Sequence, residues 1–289
     1  MTLLLEVFLP VLVVFIMTIV GMDLHFADFR RVRRYPLLVP AIVVAQWLAA
    51  ILVAGLVGKL MDLSYSLAGG ALLIAAAPVA ALSNYYAQLA NGHLALAVTV
   101  TAISTVLAVV LTPLAVAAGF ALFLDSGATV DLPLRKMAQQ TVLGLVLPLL
   151  AGMVIRLRAP AWSLRSQRRL HALALAASLT IVVFVVVAQF ATIREQWALL
   201  FEASLLYTLA LLVVAVAVTR LARLDRADCW ALVWGFPARS LAVAALIATT
   251  VVGQLALATF GAVLFAVHLA TMIPLALWIG RTSGGRKAA

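Results

Sequence analysis

Two short stretches hold the residues best suited to bind a ligand. One runs from Pro78 through Ala81 to Ser83 and Asn84; the other is Pro237-Ala238-Arg239-Ser240. In each, a proline interrupts an apolar run and polar groups follow within two turns. Hydroxyl, amide and released main-chain oxygens are donors for a small cation. A guanidinium is instead a planar fork for a carboxylate or sulfonate. Arg239 is the one charged residue near the middle of any apolar run. A central arginine costs at least ~2.5–3.5 kcal/mol on insertion scales, so it must meet water or a partner. Two readings of it stand side by side: a pin that hydrogen-bonds carbonyls released by the helix breaks, and an anion-binding or cation-substituting site.

Other polar residues in apolar surroundings are fewer. Gln46 precedes Trp47 in the second run, and an isolated amide there usually bonds to a neighbouring helix. Thr101, Ser104, Thr105 and Thr112 fall on one helical face. They read either as hydroxyls bonded back to their own helix or as a stripe facing the break after Pro78. His268 sits near the middle of the last run, with no second His, Cys or carboxylate at ligand spacing, so no transition-metal site is expected there. The chain carries no Walker loop, no H-E-x-x-H and no G-x-S-x-G, and is expected not to be an enzyme.

The elements that position these residues follow from composition. Hydrophobic residues make up 66% of the chain, charged residues only 10%, and the mean hydropathy is +1.19. This is the composition of an all-α integral membrane protein. Nine apolar segments are expected, at roughly 3–22, 36–58, 66–91, 93–121, 137–156, 170–192, 197–219, 228–250 and 255–280. Pro78 collides with the carbonyl of Ile74, and Pro237 frees that of Val233, so the third and eighth segments are discontinuous. Broken backbone at membrane depth survives only where it is buried in protein or lines a wet cavity. Two interrupted helices at corresponding places in two halves form the inverted-repeat pattern of secondary transporters, with the binding site at the breaks.

Fifteen of the twenty basic residues fall in the loops after segments one, five and seven and in the C-terminal tail. The positive-inside rule then puts the N-terminus outside and the C-terminus in the cytoplasm of a multi-pass inner (plasma) membrane protein. The net charge of +10 reads as topology signal against the lipid bilayer rather than nucleic-acid binding. The single cysteine, Cys229, excludes an internal disulfide. Glu6 and the lack of a basic leading region mark the first run as a retained helix. Asp23 and Asp28, beside four arginines, read as a solvated charge cluster.

Several motifs resemble the bile acid:sodium symporter family. They are Gly21-Met22, Leu24 and Phe29; Ala45-Gln46; Pro78 with Ser83-Asn84; Leu89-Ala90, Gly92 and Ala95-Leu96; Thr101 with Ser104-Thr105; and Thr112-Pro113. The resemblance implies a panel domain (about 1–60 and 133–192) and a core domain (about 64–122 and 196–281), with two broken helices crossing in the core and a tail at 282–289. It also implies the nine-helix form, lacking the first helix of the ten-helix form. By the same resemblance Gln46, Ser83, Asn84 and Thr101 are the remnant of a sodium site, with Na⁺ the only implied cofactor.

Departures are concentrated at the second crossover. Aligned on Gly235, Val233 and Pro237 stand where the family has Glu and Gln; in another register Arg239 stands at the Gln. Neither register has a carboxylate, Ala97 replaces a ligand serine, and Val79 and Ala80 replace two glycines. The expected function is a secondary transporter of a small organic anion, working by alternating access with altered or absent sodium coupling. The alternatives are a uniporter or proton-linked carrier on the same fold, or a non-transporting membrane receptor. The candidate substrate residues are Pro78, Ala81, Ser83, Asn84, Pro237, Ala238, Arg239, Ser240 and His268.

Overall fold

The computed structural model describes residues 7–24, 37–124 and 134–284. The arginine-rich stretch with His25 and Asp28, the loop holding Asp125 and Asp131, and the last tail residues lie outside the described residues. The named elements are all helices: α1 (Leu9–Asp23), α2 (Leu38–Leu60), α3 (Tyr65–Ala76), α4 (Leu82–Leu89), α5 (Leu94–Phe123), α6 (Leu134–Thr141), α7 (Leu147–Arg158), α8 (Pro160–Ala188), α9 (Phe190–Glu195), α10 (Trp197–Leu221), α11 (Arg226–Leu232), α12 (Leu241–Thr250) and α13 (Thr259–Gly284). A π-turn, Val142–Val146, joins α6 to α7, and 3-10 turns at Val233–Gly235 and Leu255–Ala258 follow α11 and precede α13.

Apolar chain in a bilayer folds as helix because a helix pairs its own main-chain groups where no water can. Among the described residues, six helical stretches are long and apolar enough to cross a membrane: 38–60, 94–123, 135–158, 160–188, 197–221 and 255–282. The shortest has 23 residues, which at ~1.5 Å per residue gives about 34 Å against a hydrocarbon core of ~30 Å. α1, α3 and α12 are apolar but shorter; the 12 residues of α3 reach only about 18 Å. The protein is a multi-pass membrane protein.

One boundary differs from expectation. The basic stretch between the fifth and sixth segments was read as a loop. Instead α8 restarts at Pro160, two residues after Arg158, so that Arg165, Arg168 and Arg169 ride on helical turns. Proline in the first turn starts a helix readily, since its missing N–H is one the helix would leave unpaired anyway.

The helices pack in two groups. α1 lies against α7 and α8. At the α1–α7 contact Gly21 and Gly152 face the backbone carbonyls of Leu149 and Thr18 so closely that any Cβ would collide, the small-residue approach typical of membrane helices. Arg156 Nη1 donates to Met22 O at 2.6 Å, and Asp23 sits 2.7 Å from His171 Nε2. This exposed contact ties Asp23 to α8, while Asp28 and the four arginines of the expected charge cluster lie outside the described residues. α2, expected beside α1, packs instead on α3, α5 and α10. It joins the second group, formed around the two broken helices by α2, α3, α4, α5, α10, α11, α12 and α13. α8 marks the periphery: 17% of its apolar window is buried in protein, against 56% for α2.

Candidate functional site

The site grows from the main-chain groups that the two prolines release. α3 ends at Ala76 because Pro78 has no N–H for Ile74 O. Ile74 O takes the N–H of Ala77 at 3.1 Å instead. In a continuous helix Val79 N–H would serve Ala75 O. Here Val79 N–H donates to Ser104 Oγ at 3.0 Å. Ala75 O accepts Arg239 Nε and Nη2 at 3.1 and 2.9 Å. Ala76 O accepts Trp47 Nε1 at 2.9 Å and Thr112 Oγ1 at 2.8 Å.

The second break is handled differently. The carbonyl of Val233, expected to be freed by Pro237, is held by Phe236 N–H at 3.3 Å in the 3-10 turn. Trp234 O accepts Ala238 N–H at 3.2 Å. Leu232 O faces Gln46 Nε2 at 3.4 Å. The two breaks then bond to each other. Ala80 N–H reaches Ala238 O and Ser240 N–H reaches Pro78 O, each at 2.9 Å, with Val79 and Arg239 opposite one another as an antiparallel bridge. The broken helices thus cross at their interruptions.

Arg239 is buried, at 4% exposure, with its guanidinium carbon 4.8 Å from the Trp47 ring centroid. The C-terminal end of α3 carries the negative end of its dipole, which favours a cation there. Among the described residues no carboxylate pairs with Arg239, and Asp228 is the sole buried acid. The bonds it makes are those of a pin, fixed to the first break from the second. Its Nη1 is buried and without a partner.

Oxygen atoms of cation-binding type lie around the first break. Thr101 Oγ1 is 3.0 Å from both Asn84 Oδ1 and Ala97 O, and Ser83 Oγ donates to Ala80 O at 2.8 Å. Gln46 Oε1 is buried with no partner. Gly235 makes room for that amide, since a Cβ there would stand 2.6 Å from Gln46 Nε2. Within the hydroxyl stripe of α5, Ser104 and Thr112 serve the break and Thr101 serves Asn84. Thr105 bonds back to Thr101 O.

The remaining candidates are dispersed. Ala81 is exposed at the start of α4, while Pro237, Ala238 and Ser240 are buried. His268 Nε2 lies 3.1 Å from Thr208 Oγ1, tying α13 to α10, and makes none of the bonds of the crossing. The sequence reading missed Trp47 as a donor and missed Ser204 and Tyr207, whose hydroxyls are buried without partners. The spacing of 204, 207 and 208 on one face of α10 was the available signal. Also missed was a group at one membrane end where ligand atoms of His93, Asp225 and Asp228 all lie within 4.8 Å. Its members serve each other: Asp225 caps α11 through Asp228 N–H at 2.7 Å, and Asp228 holds His93 Nδ1 at 2.6 Å.

Comparison with known proteins gives two matches. Residues 10–196 match the Sodium Bile acid symporter family. A stretch of 100 residues is 36% identical to the probable chloroplastic sodium/metabolite cotransporter BASS2 of Oryza sativa subsp. japonica. That stretch covers 35% of this chain and 24% of the rice protein's length.

Proposed function

The chain belongs to the sodium bile acid symporter family, and we propose that it is a secondary transporter of a small organic anion with altered or absent sodium coupling. The reading takes nine crossings related as an inverted repeat, the third and eighth broken, with the N-terminus outside and the C-terminus in the cytoplasm of the inner membrane. The core is the group built around the breaks; the panel is α1, α7 and α8, narrower than expected because α2 packs with the core. Alternating access is movement of this core against that panel.

One observation carries the coupling argument: the buried guanidinium of Arg239 is fixed on Ala75 O at the crossing. The rice relative is named a sodium/metabolite cotransporter. A sodium site wants several oxygens and favours an anionic ligand. Here Gln46, Ser83, Asn84 and Thr101 offer neutral oxygens, no carboxylate among the described residues joins them, and a permanent cation sits among the helix ends. A like charge at the crossing disfavours a second cation nearby, the more so in a low-dielectric interior. The residues therefore fit a built-in cation better than an exchangeable one. An anionic substrate is favoured by the same charge, through the uncommitted Nη1 of Arg239 and the exposed start of α4 at Ala81.

The test is uptake by the full chain in proteoliposomes, using a panel of labelled carboxylates and sulfonates. Uptake without a sodium gradient, at the rate seen with one, is the expected result. Strong sodium dependence overturns the coupling argument. Counterflow of labelled substrate is expected as well; binding without exchange would make the protein a receptor.

A further inference from the structure

On the side of the second break that faces α10 and α13, the second group of helices carries a cleft of about 360 Å³ between α10, α11 and α13, within the ~300–1,000 Å³ range of small-molecule sites. Two of the three helices, α11 and α13, line it in the same order of polarity, and α10 adds aliphatic wall. α11 contributes Arg226, then Trp230, then Val233 and Trp234 of the following turn; α13 contributes Thr282, then Trp278 and Ile279, then Leu275; α10 contributes Val216 and Leu212. Arg226 is exposed and Trp278 is 63% exposed, whereas Trp234 is fully buried. Eight residues separate Arg226 from Trp234, a depth of about 12 Å along a helix. Over that distance the wall passes from cation through indole to aliphatic side chains. A bilayer makes the same passage from headgroup to glycerol ester to acyl chain, and tryptophans collect at its middle level.

We propose that this cleft binds a glycerophospholipid with an anionic headgroup, its phosphate on Arg226 and one acyl chain against Leu212, Val216 and Leu275. Charge complementarity selects the headgroup. Arg220 and Arg223, six and three residues before Arg226 in the chain, are both exposed and add to the positive charge of this segment. The two carboxylates nearest in sequence are committed elsewhere: Asp228 to His93, and Asp225 to the cap of α11. Among the described residues no carboxylate pairs with Arg226. The indole nitrogens of Trp230 and Trp234 are buried without acceptors. Ester oxygens below a headgroup supply acceptors at that level, which a bare alkyl chain does not.

The test uses the purified full chain in detergent, with native mass spectrometry and thermal unfolding as readouts. Phosphatidylglycerol is expected to bind and raise the unfolding temperature; phosphatidylcholine with the same chains and free glycerol phosphate are expected to do neither. Arg226→Gln should weaken phosphatidylglycerol binding about fivefold, matching ~1 kcal/mol per basic residue at an anionic surface. Trp278→Ala should weaken it as well. Arg165→Gln, an exposed change on α8 away from the cleft, should leave it unchanged. The proposal falls if phosphatidylcholine binds equally, if glycerol phosphate alone reproduces the shift, or if Arg226→Gln and Arg165→Gln behave alike. Displacement of the lipid by a short soluble alkyl carboxylate at equal affinity would make the cleft a substrate vestibule instead. No outcome depends on transport, so the transport reading stands or falls separately.

Discussion

The two interrupted helices face the same difficulty and meet it in opposite ways. After α11, the carbonyl of Val233 that Pro237 releases is taken up by Phe236 N–H, three residues on, while Trp234 O keeps its ordinary helical partner, Ala238 N–H. After α3, the carbonyls of Ala75 and Ala76 are served by side chains from α2, α5 and the far break: Trp47, Thr112 and Arg239. The second break closes on itself and sends its arginine outward; the first stays open and receives it. A break that tightens into a 3-10 turn needs fewer donors from outside, here only the Gln46 amide on Leu232 O. One that runs extended through Pro78 and Val79 needs them, and at the C-terminal end of a helix a cation is the strongest donor available. The asymmetry places one fixed charge at the crossing with no carboxylate paired to it among the described residues.

The sharpest way to break this comparison is to remove the charge. Arg239→Met keeps most of the side-chain volume and deprives Ala75 O of its donor. An orphaned buried carbonyl costs about 1–3 kcal/mol, and bonds from a charged donor stand at the upper end. Loss of the stack on Trp47 adds to this, while relief of the guanidinium's desolvation subtracts. We expect a net destabilisation of about 2–3 kcal/mol, read as a lowered thermal unfolding temperature in detergent, with loss of anion uptake. A variant as stable as the parent would mean that the first break does not depend on the second.

The positions of both breaks were legible in the sequence because polar residues follow Pro78 and Pro237 within two turns; a proline alone does not decide, since Pro113 and Pro274 stand inside the unbroken helices α5 and α13. The closeness of the α5 hydroxyls to the first break was legible as one of two readings, since the short turn at Gly92 forces the adjoining helices together. The pin was one of two readings of Arg239, but its acceptor could not be read. Ala75 lies 164 residues from Arg239, and no local periodicity spans that separation. The self-closure of Val233 was misjudged because proline was credited with freeing a carbonyl that the preceding residue could reach in a tighter turn. The resemblance put α2 in the panel range with α1, whereas Gln46 and Trp47 of α2 both bond to the crossing.

The second break can be disturbed without touching a charge. Gly235→Ala places a methyl 2.6 Å from Gln46 Nε2. The obstacle is the end of a flexible side chain, so the amide can swing aside at the expense of its contact with Leu232 O. Overpacking of this kind costs ~1–3 kcal/mol, and the soft neighbour puts the expected loss near the lower figure. Gln46→Ala in the same background should recover most of it by thermal unfolding. If it does not, the strain lies in the 3-10 turn, and the second break is less self-sufficient than its hydrogen bonds indicate.

The smallest effect is expected at the first break, where two donors share one acceptor. Ala76 O accepts both Trp47 Nε1 and Thr112 Oγ1. Thr112→Val removes the hydroxyl from a fully buried position with little change of shape and leaves the carbonyl still paired. The cost should be near the ~0.6 kcal/mol average for a side-chain hydrogen bond between membrane helices. Trp47→Phe keeps an aromatic face under Arg239 and removes the other donor, again leaving one. In the double variant Ala76 O has neither, and the cost should rise by about 1–3 kcal/mol for the orphaned group. The two changes should therefore be more than additive in a double-mutant cycle, because each donor covers for the other. Simple additivity would mean that a third group, such as water entering from the crossing, already serves this carbonyl, and the first break would then be wetter and less dependent on imported side chains than the geometry implies.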